Sequence, residues 1–223
     1  MKRLNAKRAL GLAVLYLGFL FFGRTFFYPV QLFVTLVHEM SHGLAALLTG
    51  GSVLKIEVHP DLGGLCFTSG GWNWLIAMAG YLGSTLFGAG VLLVACRTRF
   101  DRALSCLIGA GLLVLTALYV RTSTGLLGGA AFGATLLLAG WRLSEEFNDI
   151  LLSFLGLASL SYALFDIRIL LTSSVIKVSD AQLLSKIIPL PPILWAGLWF
   201  VFSMAVAFWA VGASILRGRG GRD

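Results

Sequence analysis

Charged residues are scarce in this chain of 223 residues. Only 12% of the residues are Asp, Glu, Lys or Arg, whereas 58% are hydrophobic, and the mean hydropathy is +0.90. Soluble globular domains carry about 25% charged residues. The deficit excludes an ordinary soluble domain and predicts an integral, multi-pass membrane protein.

Cysteine is also scarce, with three residues in the whole chain. Cys66, Cys96 and Cys106 are odd in number and lack the spacing of a metal-binding cluster. The sequence therefore predicts neither a disulfide framework nor a zinc site built from cysteines.

Acidic residues are outnumbered by basic ones, 10 to 17, which gives a net charge of +7. In a soluble protein this balance would suggest a nucleic-acid partner. Here the basic residues cluster at the ends of apolar runs, where they indicate membrane topology and contact with lipid headgroups. We expect the lipid bilayer as a partner and no nucleic acid.

Long apolar runs dominate the chain and leave little room for anything else. Residues 1–223 therefore form one predicted membrane domain, without a separate soluble domain for binding substrates. Counting every run gives seven candidate spans, and the predicted fold is an all-α polytopic membrane protein with about six or seven transmembrane helices. The runs are Leu10–Phe22, Tyr28–Leu48, Trp72–Ala95, Ala103–Tyr119, Thr124–Gly140, Phe147–Leu171 and Ile193–Leu216.

A short segment between the second and third runs has a different pattern. Apolar and polar residues alternate from Leu54 to His59, and the next five residues, Pro60–Gly64, are typical of a turn. The pattern predicts a small β-hairpin over about residues 52–69, directly after the second run.

The second run contains the motif HExxH, as His38, Glu39, Met40, Ser41 and His42. On an α-helix two histidines four residues apart share one face, so both imidazoles can bind a single metal ion. The intervening glutamate can act as the general base that removes a proton from water. Zinc is the expected ion, because it is the usual Lewis acid of hydrolytic sites without redox chemistry.

A noncatalytic interpretation of the motif stays open. Polar groups in a membrane helix can hold helices together, and a metal ion can serve as a purely structural link. Ionisable groups within a span each cost about 3 kcal/mol, so three in five positions need compensation, which a metal supplies. The alternative function is therefore a metal-stabilised membrane scaffold or regulator.

A catalytic zinc ion normally takes three protein ligands, so the histidines need a partner from elsewhere in the chain. Asp166 is the favoured candidate, because it lies in an apolar segment where an unpaired carboxylate is expensive. The alternative is an ion pair of Asp166 with Arg168 or Lys177 near the membrane edge. Three hairpin residues are rival ligands that a solvated turn would equally explain: Glu57, His59 and Asp61.

Several further motifs accompany HExxH. A Gly50-Gly51 helix end, the hairpin and the segment Gly80–Gly83 follow it, and later come Ser161–Ile167, Ser179-Asp180-Ala181 and a Pro-rich entry to a Trp-containing helix at Pro189–Trp199. Together, over about Phe27–Phe200, they resemble the site-2 protease family of intramembrane zinc metallopeptidases, and most closely its compact bacterial and plant branch.

The resemblance implies a zinc-dependent endopeptidase that cleaves transmembrane proteins or peptides, in a multi-pass protein of the bacterial inner membrane. It implies that His38, His42 and Asp166 bind Zn²⁺ and that Glu39 activates water. The better-known members carry the ligand aspartate before a glycine, whereas Ile167 follows here. Neither the sequence nor the resemblance predicts an oligomeric state.

Overall fold

A computed structural model describes residues 6–22, 27–161 and 179–216. Over these ranges the chain is mostly helical, and two strands lie between the second and third helices. The elements are α1 (Ala6–Phe22), α2 (Tyr28–Leu48), β1 (Ser52–Val58), β2 (Gly64–Ser69), α3 (Asn73–Arg97), α4 (Asp101–Tyr119), α5 (Ser123–Arg142), α6 (Glu145–Leu160), α7 (Asp180–Ile187) and α8 (Pro192–Leu216).

Four of the described helices, α3, α4, α5 and α8, are long and apolar enough to cross a membrane. The expected six or seven crossings are therefore not confirmed. The described parts of α1 and α6 have 17 and 16 residues, short of the roughly 20 that a span needs. Helix α2 has 21 residues, but the polar groups near its middle lower its hydropathy.

The HExxH helix α2 lies at the centre of the described structure, in contact with α3, α5, α6 and both strands. Pro29 occupies its first turn, where a missing N–H does no harm. Gly50, with φ of +82°, follows its last turn. Phe33 is buried in the main apolar cluster and packs against Phe132 of α5, with ring centroids 5.2 Å apart. The motif is thus held in a packed, apolar setting.

The predicted β-hairpin is confirmed. Strands β1 and β2 form an antiparallel pair in which Val58 faces Gly64 and Ile56 faces Cys66. Leu62, in the turn between them, has φ of +68°. The hairpin thereby brings β2 back along α2, which both strands contact.

The connection between α4 and α5 fastens the outer edge of β1. The N–H of Arg121 donates to the carbonyl of Ile56 over 3.0 Å. The Thr122 hydroxyl accepts from the N–H of Val58 over 3.0 Å and donates to its carbonyl over 2.8 Å. The hairpin is therefore tied to the helix pair α4–α5 as well as to α2.

Candidate metal centre

Three side chains converge at the centre of the described structure: His38 and His42 from α2, and Asp180 from the start of α7. The Nε2 atom of His38 lies 3.0 Å from Oδ2 of Asp180, and Nε2 of His42 lies 3.3 Å from the same oxygen. The two Nε2 atoms are 3.2 Å apart. Both histidines are buried. Among the described residues, these three form the one group of potential ligands close enough to share an ion.

The separations of these atoms fit a tetrahedral metal ion. Zinc bonds of about 2.0–2.1 Å to nitrogen and oxygen place neighbouring ligand atoms about 3.3 Å apart. The observed triangle has sides of 3.0, 3.2 and 3.3 Å. Two imidazoles and one carboxylate also match the donor set of catalytic zinc sites, which leaves a fourth position for water.

A backbone carbonyl of α3 fixes the orientation of His42. Its Nδ1 atom lies 2.6 Å from the carbonyl oxygen of Ile76, so Nδ1–H donates to that oxygen. The proton on Nδ1 leaves the lone pair of Nε2 directed at the other two ligands. Outer hydrogen bonds of this kind are the usual means by which a protein orients a metal-binding histidine.

Gly80 of α3 provides the space that the ligand atoms occupy. A Cβ atom at this position would overlap Nε2 of both His38 and His42. Only glycine lets the backbone of α3 pass so close to the imidazoles. The cluster is therefore enclosed by α2, α3 and α7.

Glu39 lies on the flank of the same helix face and is also buried. It packs against the backbone of Gly64 at the start of β2, where a Cβ atom would come within 2.6 Å of its Cγ. Cys66 of β2 is close to this carboxylate. Burial, and next the charge of Glu39, raise the pKa of the Cys66 thiol to about 12. The hairpin thus encloses the glutamate beside the ligand triangle.

Asp180 is held in position by the local structure of α7. Ser179 and Gln182 form a capping box, in which each side chain bonds the backbone N–H of the other residue. Asp180 follows the N-cap directly, at the end of the helix where negative charge is favourable. Ala181 and Leu184 are buried in an apolar cluster with α3 and α8, which anchors the short helix.

Comparison with known proteins agrees with this geometry. A family model described as Peptidase M50B-like matches residues 10–210. The chain belongs to this family. It is the site-2 protease family, so the resemblance inferred from the motifs is confirmed. No curated protein and no solved structure matches the chain.

Family membership and the four apolar helices support an integral membrane protein of the peptidase class. The structure brings the predicted ligands His38 and His42 together and places the predicted base, Glu39, beside them. Asp166, the predicted third ligand, lies outside the described residues.

The rival ligands of the hairpin do not join the cluster. Glu57 forms an ion pair with Lys55, over 2.8 Å between Oε1 and Nζ. The side chain of His59 is 48% exposed and lies 3.9 Å from Glu57. Asp61 accepts a hydrogen bond from the N–H of Gly63 within the turn. These contacts agree with the solvated-turn interpretation of the three residues.

Asp180 was not among the ligands predicted from the sequence. The residue belongs to a Ser-Asp-Ala element that carries the family resemblance, but it lies outside every predicted span. The signal was present in the spacing of Ser179 and Gln182, which is a capping-box pattern followed by two leucines. That pattern predicts a short helix with an acid at its first position.

Proposed function

We propose that the protein is a zinc-dependent endopeptidase that cleaves membrane proteins within the bilayer. The observation that carries the proposal is the triangle of His38, His42 and Asp180 ligand atoms, with Glu39 beside it. Family membership supports a peptidase. The apolar helices around the site support a substrate that also lies in the membrane. The bacterial inner membrane is the proposed location.

His38, His42 and Asp180 would hold the zinc ion, which would supply the Lewis acidity that acidifies water and polarises a substrate carbonyl group. The carboxylate of Glu39 accepts the proton of the attacking water and returns it to the nitrogen of the leaving amine. His42 is kept in its ligating tautomer by the carbonyl of Ile76. Burial of Glu39 excludes bulk water from the proton-transfer step.

A transmembrane substrate must unwind before attack, because the carbonyls of an intact helix are hydrogen-bonded to their own backbone. One edge of the hairpin is suited to pair with an unwound segment of the substrate. The outer edge of β1 is bonded to the α4–α5 connection, so the other edge, that of β2, is the one left for pairing in the described part of the chain. It begins at Gly64, against Glu39, and can accept an extended peptide as an added strand.

The test compares wild-type protein with Glu39→Gln and a control, Glu57→Gln, in the hairpin. Zinc content is measured on purified protein, and membrane-protein fragments are compared between cells that express each variant. We expect Glu39→Gln to retain zinc and lose the fragments, while Glu57→Gln behaves as wild type. Identical fragment patterns in wild type and Glu39→Gln, with zinc bound in both, would contradict the protease proposal.

That contrary outcome would favour the alternative, a noncatalytic scaffold held together by its metal. A structural zinc ion usually has four protein ligands. A structural site would have no need of a buried acid such as Glu39, which directly follows His38 in α2. This residue is the feature that supports catalysis.

A further inference from the structure

An aromatic pair connects the ligand His38 to the last helix. The rings of His38 and Tyr81 meet edge to face, with centroids 5.0 Å apart and planes at 87°. Tyr81 also stacks on Trp199 of α8, with centroids 4.7 Å apart and planes at 20°. Both aromatic residues are 3% exposed. A continuous stack therefore runs from α2 through α3 to α8.

The same pair belongs to the apolar cluster that holds α7. Tyr81 and Trp199 form this cluster with Ala77, Ala181 and Leu184. Leu184 is fully buried and Ala181 is 1% exposed, and the helix that they anchor begins with Asp180. One cluster thus supports a ligand from α2 and a ligand from α7.

We propose that Tyr81 and Trp199 are positioning residues that hold His38 and Asp180 at metal-binding separation. Helix α8 then sets the affinity of the site for zinc, although it contributes no ligand among the described residues. The inference rests on the metal role of the three ligands in the proposed function. It adds a second group of residues, outside the motif, on which metal binding depends.

Metal coordination tolerates only small errors in the positions of the ligand atoms. Ligand distances must be correct to within about 0.2 Å. Without the Tyr81 ring the imidazole of His38 loses a packing partner. Without the Trp199 indole, Tyr81 loses its support and α7 loses a surface that fixes Asp180. Changes to the groups that orient ligands typically weaken metal binding by about 10–100-fold.

The test measures zinc affinity by competition with a chromophoric chelator, for purified full-length protein in detergent. We expect Tyr81→Leu and Trp199→Leu to bind zinc about 10–100-fold more weakly than wild type. Tyr81→Phe and Trp199→Phe keep an aromatic ring and should recover most of the affinity. Wild-type affinity in both leucine variants would overturn the inference.

Matched controls separate positioning from general destabilisation. Trp209→Leu removes an indole from the same helix α8, at a position that is 61% exposed. Phe87→Leu removes a ring of α3 that packs on Phe33 of α2, with centroids 6.2 Å apart. Both should retain wild-type zinc affinity. A loss in these controls as large as in the test variants would overturn the positioning role.

A second measurement needs no destabilising substitution. In protein labelled with 5-fluorotryptophan, zinc titration should shift the ¹⁹F resonance of Trp199 and leave that of Trp209 unchanged. The two resonances are assigned with Trp199→Phe and Trp209→Phe. A Trp199 resonance that does not respond to bound zinc would overturn the inference.

Ligand variants distinguish failure of this inference from failure of the proposed function. If His38→Ala and Asp180→Ala bind zinc as tightly as wild type, the metal site itself is refuted. If they lose zinc while Tyr81→Leu and Trp199→Leu retain it, only the positioning role is refuted.

Discussion

At the scale of single residues, two glycines determine how closely other elements approach the HExxH motif. Gly80 lets α3 pass over the imidazoles of His38 and His42, and Gly64 lets β2 pass over Glu39. In both cases the atom that a larger residue would displace is part of the proposed chemistry. The two positions therefore allow metal binding and proton transfer to be perturbed separately.

Gly80→Ala should abolish zinc binding, because the new methyl group would overlap both Nε2 atoms. The matched control is Gly90→Ala in the same helix, where a Cβ atom would meet nothing within 4 Å. Metal analysis of the purified variants checks the prediction. Stoichiometric zinc in Gly80→Ala would show that the imidazoles can move aside without losing the ion.

Gly64→Ala should retain zinc but lower kcat by about 100-fold, because a displaced Glu39 no longer reaches its proton. Gly63→Ala is the control, since the atoms nearest to a Cβ atom there belong to the side chain of Asp61, at 3.1 Å and beyond, and not to Glu39. Fragment yield and zinc content are measured together. Unchanged cleavage by Gly64→Ala would exclude the observed position of Glu39 as the catalytic one.

Cys66 should react slowly with iodoacetamide at pH 8 in a variant that lacks the other two cysteines. Its pKa is raised to about 12, chiefly by burial, so the reactive thiolate is a small fraction there and grows about tenfold per pH unit. The same variant in denaturant should reach a plateau near pH 9 to 10. A plateau at that pH in folded protein would contradict the raised pKa.

At the scale of secondary-structure elements, the hairpin depends on contacts that reach beyond α2. Thr122 is both the N-cap of α5 and a hydrogen-bonding partner of Val58 in β1. Because β2 is hydrogen-bonded to β1, this threonine helps to hold β2 against Glu39. The α4–α5 pair therefore stabilises the site without contributing a ligand among the described residues.

Thr122→Val should lower the free energy of unfolding by about 1–2 kcal/mol, because it removes a helix cap and both bonds to Val58. Thr124→Val, on the first turn of α5, is the control. Hydrogen exchange by mass spectrometry should show faster exchange in the hairpin of Thr122→Val. Equal exchange of the hairpin in the two variants would argue against a stabilising role for the bonds between Thr122 and Val58.

Elements with a strong local pattern were predictable from the sequence. The alternation of Leu54 to His59 and the turn residues after it indicated the hairpin, and the i, i+4 spacing placed two histidines on one helix face. Helix α7 was not predicted, because its eight residues show little apolar periodicity and the capping-box spacing of Ser179 and Gln182 was not interpreted as a helix start. The approach of Asp180 to His38 depends on tertiary packing across 142 residues, which no local pattern encodes.

At the scale of the whole molecule, a bound ion would join the N-terminal half of the protein to its C-terminal part. Metal that binds only the folded state adds stability by mass action, about 2.7 kcal/mol at 100 times its Kd. Removing the metal should therefore loosen the whole bundle, with α7 and α8 as the parts most dependent on it.

Chelation with EDTA should lower the melting temperature of the purified wild-type protein by several degrees, about 2–4 °C per kcal/mol for this size. Asp180→Asn should melt lower than zinc-loaded wild type and respond little to EDTA, since one of the three ligands is gone. Thermal unfolding in detergent, with and without added zinc, checks both. An undiminished EDTA response in Asp180→Asn would remove Asp180 from the metal site.

The long separation between His38 and Asp180 also bears on biosynthesis. While the ribosome is still making the middle of the protein, both histidines have already been synthesised, but their acidic partner does not yet exist. A nascent chain therefore has no complete centre with which to attack its neighbours in the insertion machinery. In the proposed protease, activity would begin only after Asp180 has been synthesised.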